Sequence, residues 1–418
     1  MLAALASAFR IPDLRKRILY TVGLLAVYRI GSFIPVPGIN SAVMEQLIQG
    51  HGVFGLMDMF SGGNLSRLTI FALNVGPYIT AQIVMQLLTM VIPKLEELAK
   101  EGEEGRRQIQ QYTRYGTILL AVIQGLAYTL WGRTAGALEN TGAFTVVLVV
   151  TVLTAGTAFV MWLGEKISEH GIGNGISLII FVGIVARIPS GARTAVQLLG
   201  GQGGYSIFSV VLFAIIALAV IVAVVAIQEG ERRIPVQYAK RVVGRRMYGG
   251  QSRYLPLKVN QAGVIPVIFA SSVLAFPATI ISFVPALQRL AKYFEGGALF
   301  YNIVYVLLII FFTYFYTAAQ FQPIEIANNL KKYGGFIPGL RPGRPTAEYL
   351  DRVMTRITLA GALFLAFIAV LPNIMSRITG LPIHFGGTGL LIMVGVALDT
   401  MKQIETQLLM RQYQGFLK

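Results

Sequence analysis

The chain has 418 residues, of which 55% are hydrophobic and 13% charged, with a formal net charge of +16 and no cysteine. A soluble globule of this composition would leave far too much apolar surface in water, so the expected solvent is a bilayer. The lack of cysteine excludes disulfides, thiolate metal sites and a cysteine nucleophile.

At the start, Met1 to Phe9 lacks the basic n-region of a secretory signal, while Arg10, Arg15, Lys16 and Arg17 stand just before the first long apolar stretch. Residues 1–17 are therefore read as a cytosolic amphipathic N-terminus, a short helix on the membrane surface. A helix needs about 20 apolar residues to cross the hydrocarbon core. Ten stretches approach that length, at 18–37, 72–92, 114–132, 144–164, 174–190, 207–228, 259–285, 300–322, 355–374 and 384–402. They predict an all-α polytopic membrane protein of ten transmembrane helices. Residues 18–190 form an N-terminal half, 191–206 an external hinge loop, 207–402 a C-terminal half and 403–418 a cytosolic C-terminus. With the first span entering from inside, 27 of the 35 Lys and Arg fall in the termini and in every second loop. That asymmetry is what the positive-inside rule requires of an inner-membrane protein with both termini in the cytosol. Five spans per half is an odd number, so the second half crosses in the opposite sense to the first. The geometry permits an inverted repeat, although no self-similarity between the two sequences is evident.

Between the first two spans lies an external segment, Gly38 to Phe71, that is too long for a turn and contains FSGGNLSRLTIFAL, Phe60 to Leu73. This reads as a short apolar helix broken by paired glycines. One possibility is an interfacial helix on the outer leaflet. The other is a re-entrant segment, which is allowed only where its irregular backbone is buried in protein or lines a cavity. Further on, residues 72–92, 115–131, 144–163, 207–227, 259–288 and 299–322 contain no Asp, Glu, Lys, Arg or His. An ion-coupled secondary transporter with inverted repeats is the rival reading, and it ordinarily keeps an ionisable group near mid-membrane to carry the coupling charge. This chain offers almost no such group. Enzyme readings fare no better, because His51, His170 and His384 are scattered without ligand spacing. Gly200 to Gly204 lacks the Lys-Ser/Thr of a phosphate loop, so no cofactor is expected. Two basic loops remain. The first, 229–258, carries eight Lys and Arg with Ile234, Val236 and Tyr238 alternating as in a hairpin strand, and the second, 323–354, sets Lys331, Lys332, Arg341 and Arg344 among Gly and Pro.

Seven segments, in order, carry a resemblance: RIGSFIPVPG (Arg29 to Gly38), FSGGNLSRLTIFAL, EGEEGRRQIQQYTRYGT (Glu101 to Thr117), GIGNGIS (Gly171 to Ser177), PLKVNQAGVIPVIFASS (Pro256 to Ser272), NNLKKYGGFIPGLRPG (Asn328 to Gly343) and FGGTGLLI (Phe385 to Ile392). Together they resemble the bacterial SecY family, the channel subunit of the Sec protein translocon. The resemblance implies two inverted five-helix halves around a pore, with a re-entrant plug helix and a lateral gate. It implies passage of unfolded polypeptides across the membrane and sideways release of transmembrane segments into lipid, with no enzymatic step.

By the same resemblance the pore ring is Val75, Ile79, Ile176, Ile180, Ile268 and Ile392. Residues four apart share a helix face, so Val75 with Ile79, and Ile176 with Ile180, can each present two branched side chains to one axis. Such an apolar constriction gates by dewetting. Val75 departs from the isoleucine common in relatives, which predicts a looser seal. The plug is matched by Phe60, Ser61, Gly62, Gly63, Asn64, Leu65, Ser66, Arg67, Leu68, Thr69 and Ile70, with Asn64 and Arg67 expected to face an aqueous funnel. Thr80, Gln124 and Asn260 match the polar cluster of the lateral gate. Arg245, Arg246 and Arg341 match positions that dock the motor ATPase SecA and the ribosome. Further implied partners are the subunits SecE and SecG, signal sequences, precursor polypeptides and membrane lipids.

Overall fold

In the computed structural model, the described residues are 9, 11–49, 58, 61–138, 140–197, 207–238, 241–243, 246–248, 252–283, 293–294, 298–379 and 387–415. Residues 1–8, Phe60, Arg245 and the hinge residues 198–206 therefore lie outside the described part.

Each of the ten predicted spans overlaps a helix. The N-terminal half holds α1 (Pro12–Gly31), a short α2 (Ser41–Gln49), α3 (Gly76–Val91), α4 (Pro93–Lys100), α5 (Glu103–Thr134), α6 (Ala143–His170), α7 (Gly175–Val185) and α8 (Ile188–Gln197). The C-terminal half holds α9 (Ile207–Glu229), α10 (Ile265–Phe283), α11 (Leu299–Gln320), α12 (Pro323–Lys332), α13 (Arg344–Thr379) and α14 (Gly387–Gly415). Among the described residues four helices are long and apolar enough to cross a membrane unaided, or five if α3 and α4, bent by 101° at their junction, count as one. Among the shorter ones α3 has 16 residues, about 24 Å at the helical rise.

The first span differs from expectation at both ends for identifiable reasons. The first span starts at Pro12, which fits the first helical turn, so residues 12–17 continue into the span instead of forming a separate surface helix. It ends at Gly31, not residue 37, because Pro35 and Pro37 supply no donors and push their predecessors out of the helical region. Pro35 instead forms a bridge with Thr69, bringing the chain between α1 and α2 against the segment before α3. The expected hinge loop at 191–206 begins inside α8.

Helix contacts repeat between the halves. In the first, α5 packs on α3 and α6, α6 on α7, α1 and α3, and α1 on α7. In the second, α11 packs on α10 and α13, α13 on α14, α9 and α10, and α9 on α14. Matching α1, α3, α5, α6 and α7 with α9, α10, α11, α13 and α14 carries every one of these pairs onto its counterpart. Two packed seams join the halves among the described residues, α3 with α10 and α7 with α14, and each maps onto itself under the same exchange. The inverted repeat is thus present in packing although invisible in sequence.

Strands are confined to the two basic loops. β1 (Glu231–Tyr238) pairs antiparallel with β4 (Ser252–Lys258) and with β5 (Gly335–Phe336), while β2 (Arg241–Val243) and β3 (Arg246–Tyr248) form a separate hairpin. Ile234 and Val236 point inward from β1, as the alternation predicts, onto Leu257, Ile337, Leu350 and Val353. Both loops and the start of α13 therefore share one small core at a single end of the bundle.

Candidate functional site

The four helices that make the two seams also carry the six aliphatic residues. Val75 caps α3 and Ile79 lies one turn on; Ile176 and Ile180 sit on α7, Ile268 on α10 and Ile392 on α14. Val75, Ile79, Ile180, Ile268 and Ile392 belong to one buried cluster, with the half-buried Ile176 packed against it. Branched side chains from both halves thus meet where the seams converge.

Local chemistry fixes each contributor. Pro77 sits in the first turn of α3, and the preceding Asn74 has φ +49, a left-handed step that ends the irregular chain and turns Val75 inward. At α7, the Asn174 side chain accepts a hydrogen bond from the Ser177 N–H at 3.1 Å, a standard N-cap. Gly175 stacks on the Gly164 carbonyl, and Gly164 leaves room for the Ile176 side chain; a β-carbon at either glycine would collide. That close approach of α6 to α7 sets the depth of Ile176.

Toward the sheet-bearing end, the cluster is the floor of a cavity of ≈ 350 Å³. Ile79, Ile176, Ile180 and Ile268 form its apolar base, and Gln82, Gln110, Glu165, Ser168 and Asn174 contribute polar walls. Glu165, 8% exposed, accepts from the Arg114 guanidinium at 2.8 Å and from the Gln110 amide at 3.1 Å, tying α6 to α5. Sequence reasoning missed this residue. Its signal was an acid closing one apolar span while an unpaired arginine opened another.

At the opposite end lies the segment that precedes α3. It is helical at Asp58 and Ser61 only, and from Gly62 onward it is a succession of turns, so the expected helix does not extend through the described residues. The reason is conformational: Gly62 at φ +73, Gly63 at +89 and Leu68 at +44 all occupy the left-handed region, which interrupts a right-handed helix. Tertiary hydrogen bonds replace the helical ones, with Val36 N–H donating to the Leu68 carbonyl and Ile70 N–H to the Ile34 carbonyl, both at 3.0 Å. Gly62 lies against Gly183 of α7, where a β-carbon would sit 2.7 Å from the Gly183 Cα. Ser61, Leu65, Ser66, Leu68 and Thr69 are buried, Ile70 is half-buried and Arg67 is exposed. Asn64 departs from its expected aqueous position. It is 1% exposed and donates to the Tyr28 hydroxyl of α1 at 3.2 Å, because an amide this deep must find a partner.

The three lateral-gate residues do not form one hydrogen-bonded cluster. Thr80 Oγ1 donates to its own helix at the Gly76 carbonyl, and the half-buried Gln124 lies on α5. Asn260 precedes α10, donates to the Gly263 carbonyl at 2.9 Å and lines a polar recess with Gln228, Lys258 and Asp399 inside the C-terminal half. Its Oδ1 is buried without a hydrogen-bond partner among the described residues. The seam beside them is the packing of α3 on α10. At the docking positions, Arg246 opens β3 and Arg341 is exposed in the turn before α13, where its carbonyl accepts from Thr346 Oγ1 at 2.8 Å.

A contact between the halves was also missed. In the GIGNGIS segment the Gly173 N–H donates to Gln403 Oε1 of α14 at 2.9 Å, and the Ile172 N–H donates to Thr21 Oγ1 of α1 at 3.0 Å. Glycine is needed at 173, where φ is +87 and the backbone lies against Thr400.

Comparison with known proteins agrees with this architecture. A family model described as SecY matches residues 69–401. The protein translocase subunit SecY of Mycobacterium tuberculosis is 49% identical over 447 residues, covering 100% of both chains. Among solved structures, a SecY translocation channel whose plug domain stabilises the closed state and maintains a membrane seal aligns over 93% of this chain and 91% of its own, with 21% identity and TM-score 0.66. The canine Sec61 channel in its ribosome complex aligns over the same shares, with 20% identity and TM-score 0.63.

Proposed function

This chain belongs to the SecY family of protein translocase subunits, and from that premise we propose that Val75, Ile79, Ile176, Ile180, Ile268 and Ile392 are the constriction through which its substrate passes. The protein is a multi-pass membrane channel that conducts unfolded polypeptides and releases apolar segments into lipid. One observation carries the assignment of the ring: four helices from both halves bring these side chains into one aliphatic cluster, and that cluster floors a polar cavity. An apolar neck between wetted compartments excludes ions by dewetting and yields to a chain that fills it. The family assignment also removes the ion-coupled transporter reading.

Residues 61–70 act as the plug on the side opposite the cavity. The α3–α10 seam acts as the lateral gate, with Thr80, Gln124 and Asn260 along its approach. Weak polar contacts between membrane helices, about 0.6 to 2 kcal/mol each, suit a seam that a signal sequence must displace. The sheet-bearing end faces the cytosol, as do both termini, in the bacterial inner membrane, because the basic loops cluster there. This end docks the ribosome, the partner in the canine complex, and the motor ATPase SecA. Arg246 and Arg341 take part, together with Arg245, which lies outside the described residues. SecE and SecG complete the complex.

The deciding experiment places a photoreactive residue at Ile79 and stalls a secretory precursor midway in membranes containing SecE and SecA. A crosslink that depends on ATP and on the signal sequence is expected. Labelling of lipid or neighbouring helices alone, while the precursor still crosses, would overturn the ring assignment.

A further inference from the structure

Asp58 stands just ahead of the plug residues and is 2% exposed. Its Oδ1 accepts from the Ser66 N–H at 2.8 Å and from Ser61 Oγ at 3.5 Å, and its carbonyl accepts from the Gly63 N–H at 3.0 Å. One residue therefore gathers both ends of the 61–66 turn. Its other carboxylate oxygen, Oδ2, lies 3.0 Å from Arg187 Nη2, two residues beyond the end of α7. The Arg187 side chain is 38% exposed, so the pair has one member in the protein and the other at the water boundary.

A carboxylate this deep is tolerated only while its counter-charge and hydrogen bonds are present. Without Arg187 the uncompensated charge favours a turn that swings out and hydrates Asp58, which carries residues 61–66 with it. The pair is also connected to the pore. Helix α7 carries Ile176 and Ile180 of the ring, touches the turn at Gly62 through Gly183, and packs on α14 across a seam between the halves.

We propose that the Asp58–Arg187 ion pair is the latch that holds the plug in its closed seat, so that opening requires the pair to break. The inference rests on reading 61–70 as the plug. Asp58 and Arg187 are positioning residues that act through the turn and do not contact the substrate.

The test is resting ionic conductance of membranes carrying the channel complex, for Asp58→Asn, Arg187→Gln, the double variant, Arg187→Lys, and a deletion of 61–70. Asparagine keeps an acceptor for Ser66, so Asp58→Asn removes charge alone. Each single variant is expected to raise resting leak roughly tenfold, the response to about 1.4 kcal/mol. The double variant should leak no more than either single one, because partners in one pair are non-additive. Arg187→Lys keeps the charge and should stay near the unaltered protein, which separates loss of the latch from general misfolding. The latch is overturned if Arg187→Gln is silent while Asp58→Asn leaks, if the two effects multiply, or if neither leaks while the deletion does. A silent deletion would instead sink the plug reading itself.

Discussion

Val75 closes one side of the aliphatic cluster at 3% exposure, with one methylene fewer than an isoleucine. Val75→Ile adds that group where the ring is expected to seal. Resting conductance should fall, at a cost in stability of about 1 kcal/mol, the lower end of the range for a methylene added to a packed core. Glu165 makes a different claim. Glu165→Ala leaves Arg114 and Gln110 without their shared acceptor and should lower stability by about 1 to 3 kcal/mol, read as a reduced unfolding temperature of the purified protein. The lower end is the better guide, since the Arg114 side chain is 41% exposed and its loss is screened by water. Asn260→Leu removes a buried Oδ1 that lacks a partner but also the hydrogen bond to the Gly263 carbonyl, so stability should fall by about 1 kcal/mol. If Asn260 belongs to the gate, export of precursors with defective signal sequences should rise; unaltered stringency would remove it from that role. Such distinctions were not legible in sequence. Asn64 and Asn260 each read as a polar residue in an apolar stretch, and only tertiary placement showed one bonded to Tyr28 and the other to its own loop.

Among the elements, long spans were legible because apolar length is a one-dimensional property, and their helices overlap every predicted stretch. Their ends were less so, since α1 was placed six residues too late by a hydropathy that runs on through Ser32 to Pro37 after the helix has stopped. The segment proposed as the plug was the hardest element. Its residues are apolar enough for a helix, but three left-handed positions and hydrogen bonds to Ile34, Val36 and Tyr28 replace the helical ladder, and the paired glycines serve backbone conformation and close approach. Gly62→Ala therefore adds a β-carbon against Gly183 at a strained φ and should raise resting leak. Gly63→Ala meets open space and pays only the left-handed penalty, about 1 to 2 kcal/mol, so its leak should be smaller. Equal leaks in the two variants would show that contact with α7 is unimportant.

For the whole molecule, the two seams are equivalent in packing but not in connection. At the α7–α14 seam the Gly173 N–H, just before α7, donates to Gln403 Oε1 of α14. The α3–α10 seam lacks such a tether among the described residues. Because the protein has no cysteine, paired cysteines can be introduced at either seam without background. A crosslink between α3 and α10 should stop export, whereas one between α7 and α14 should leave most of it intact. The reverse result would place the opening on the other side. Sequence pointed to two halves through the odd number of spans, but their equivalence lies in which helices touch, and sequence that has diverged can preserve contacts without preserving letters.

That equivalence has a historical reading. Two copies of a single five-helix chain, inserted in opposite senses and paired about an axis in the membrane plane, would form the same two self-matching seams. Such a dimer would need one sequence able to insert both ways up, with little charge to bias its loops. Once the copies were joined end to end, each could keep its own orientation and collect its own cations. The basic sheet, built on the second half alone, is the kind of addition that becomes available only after fusion has made the two copies free to differ.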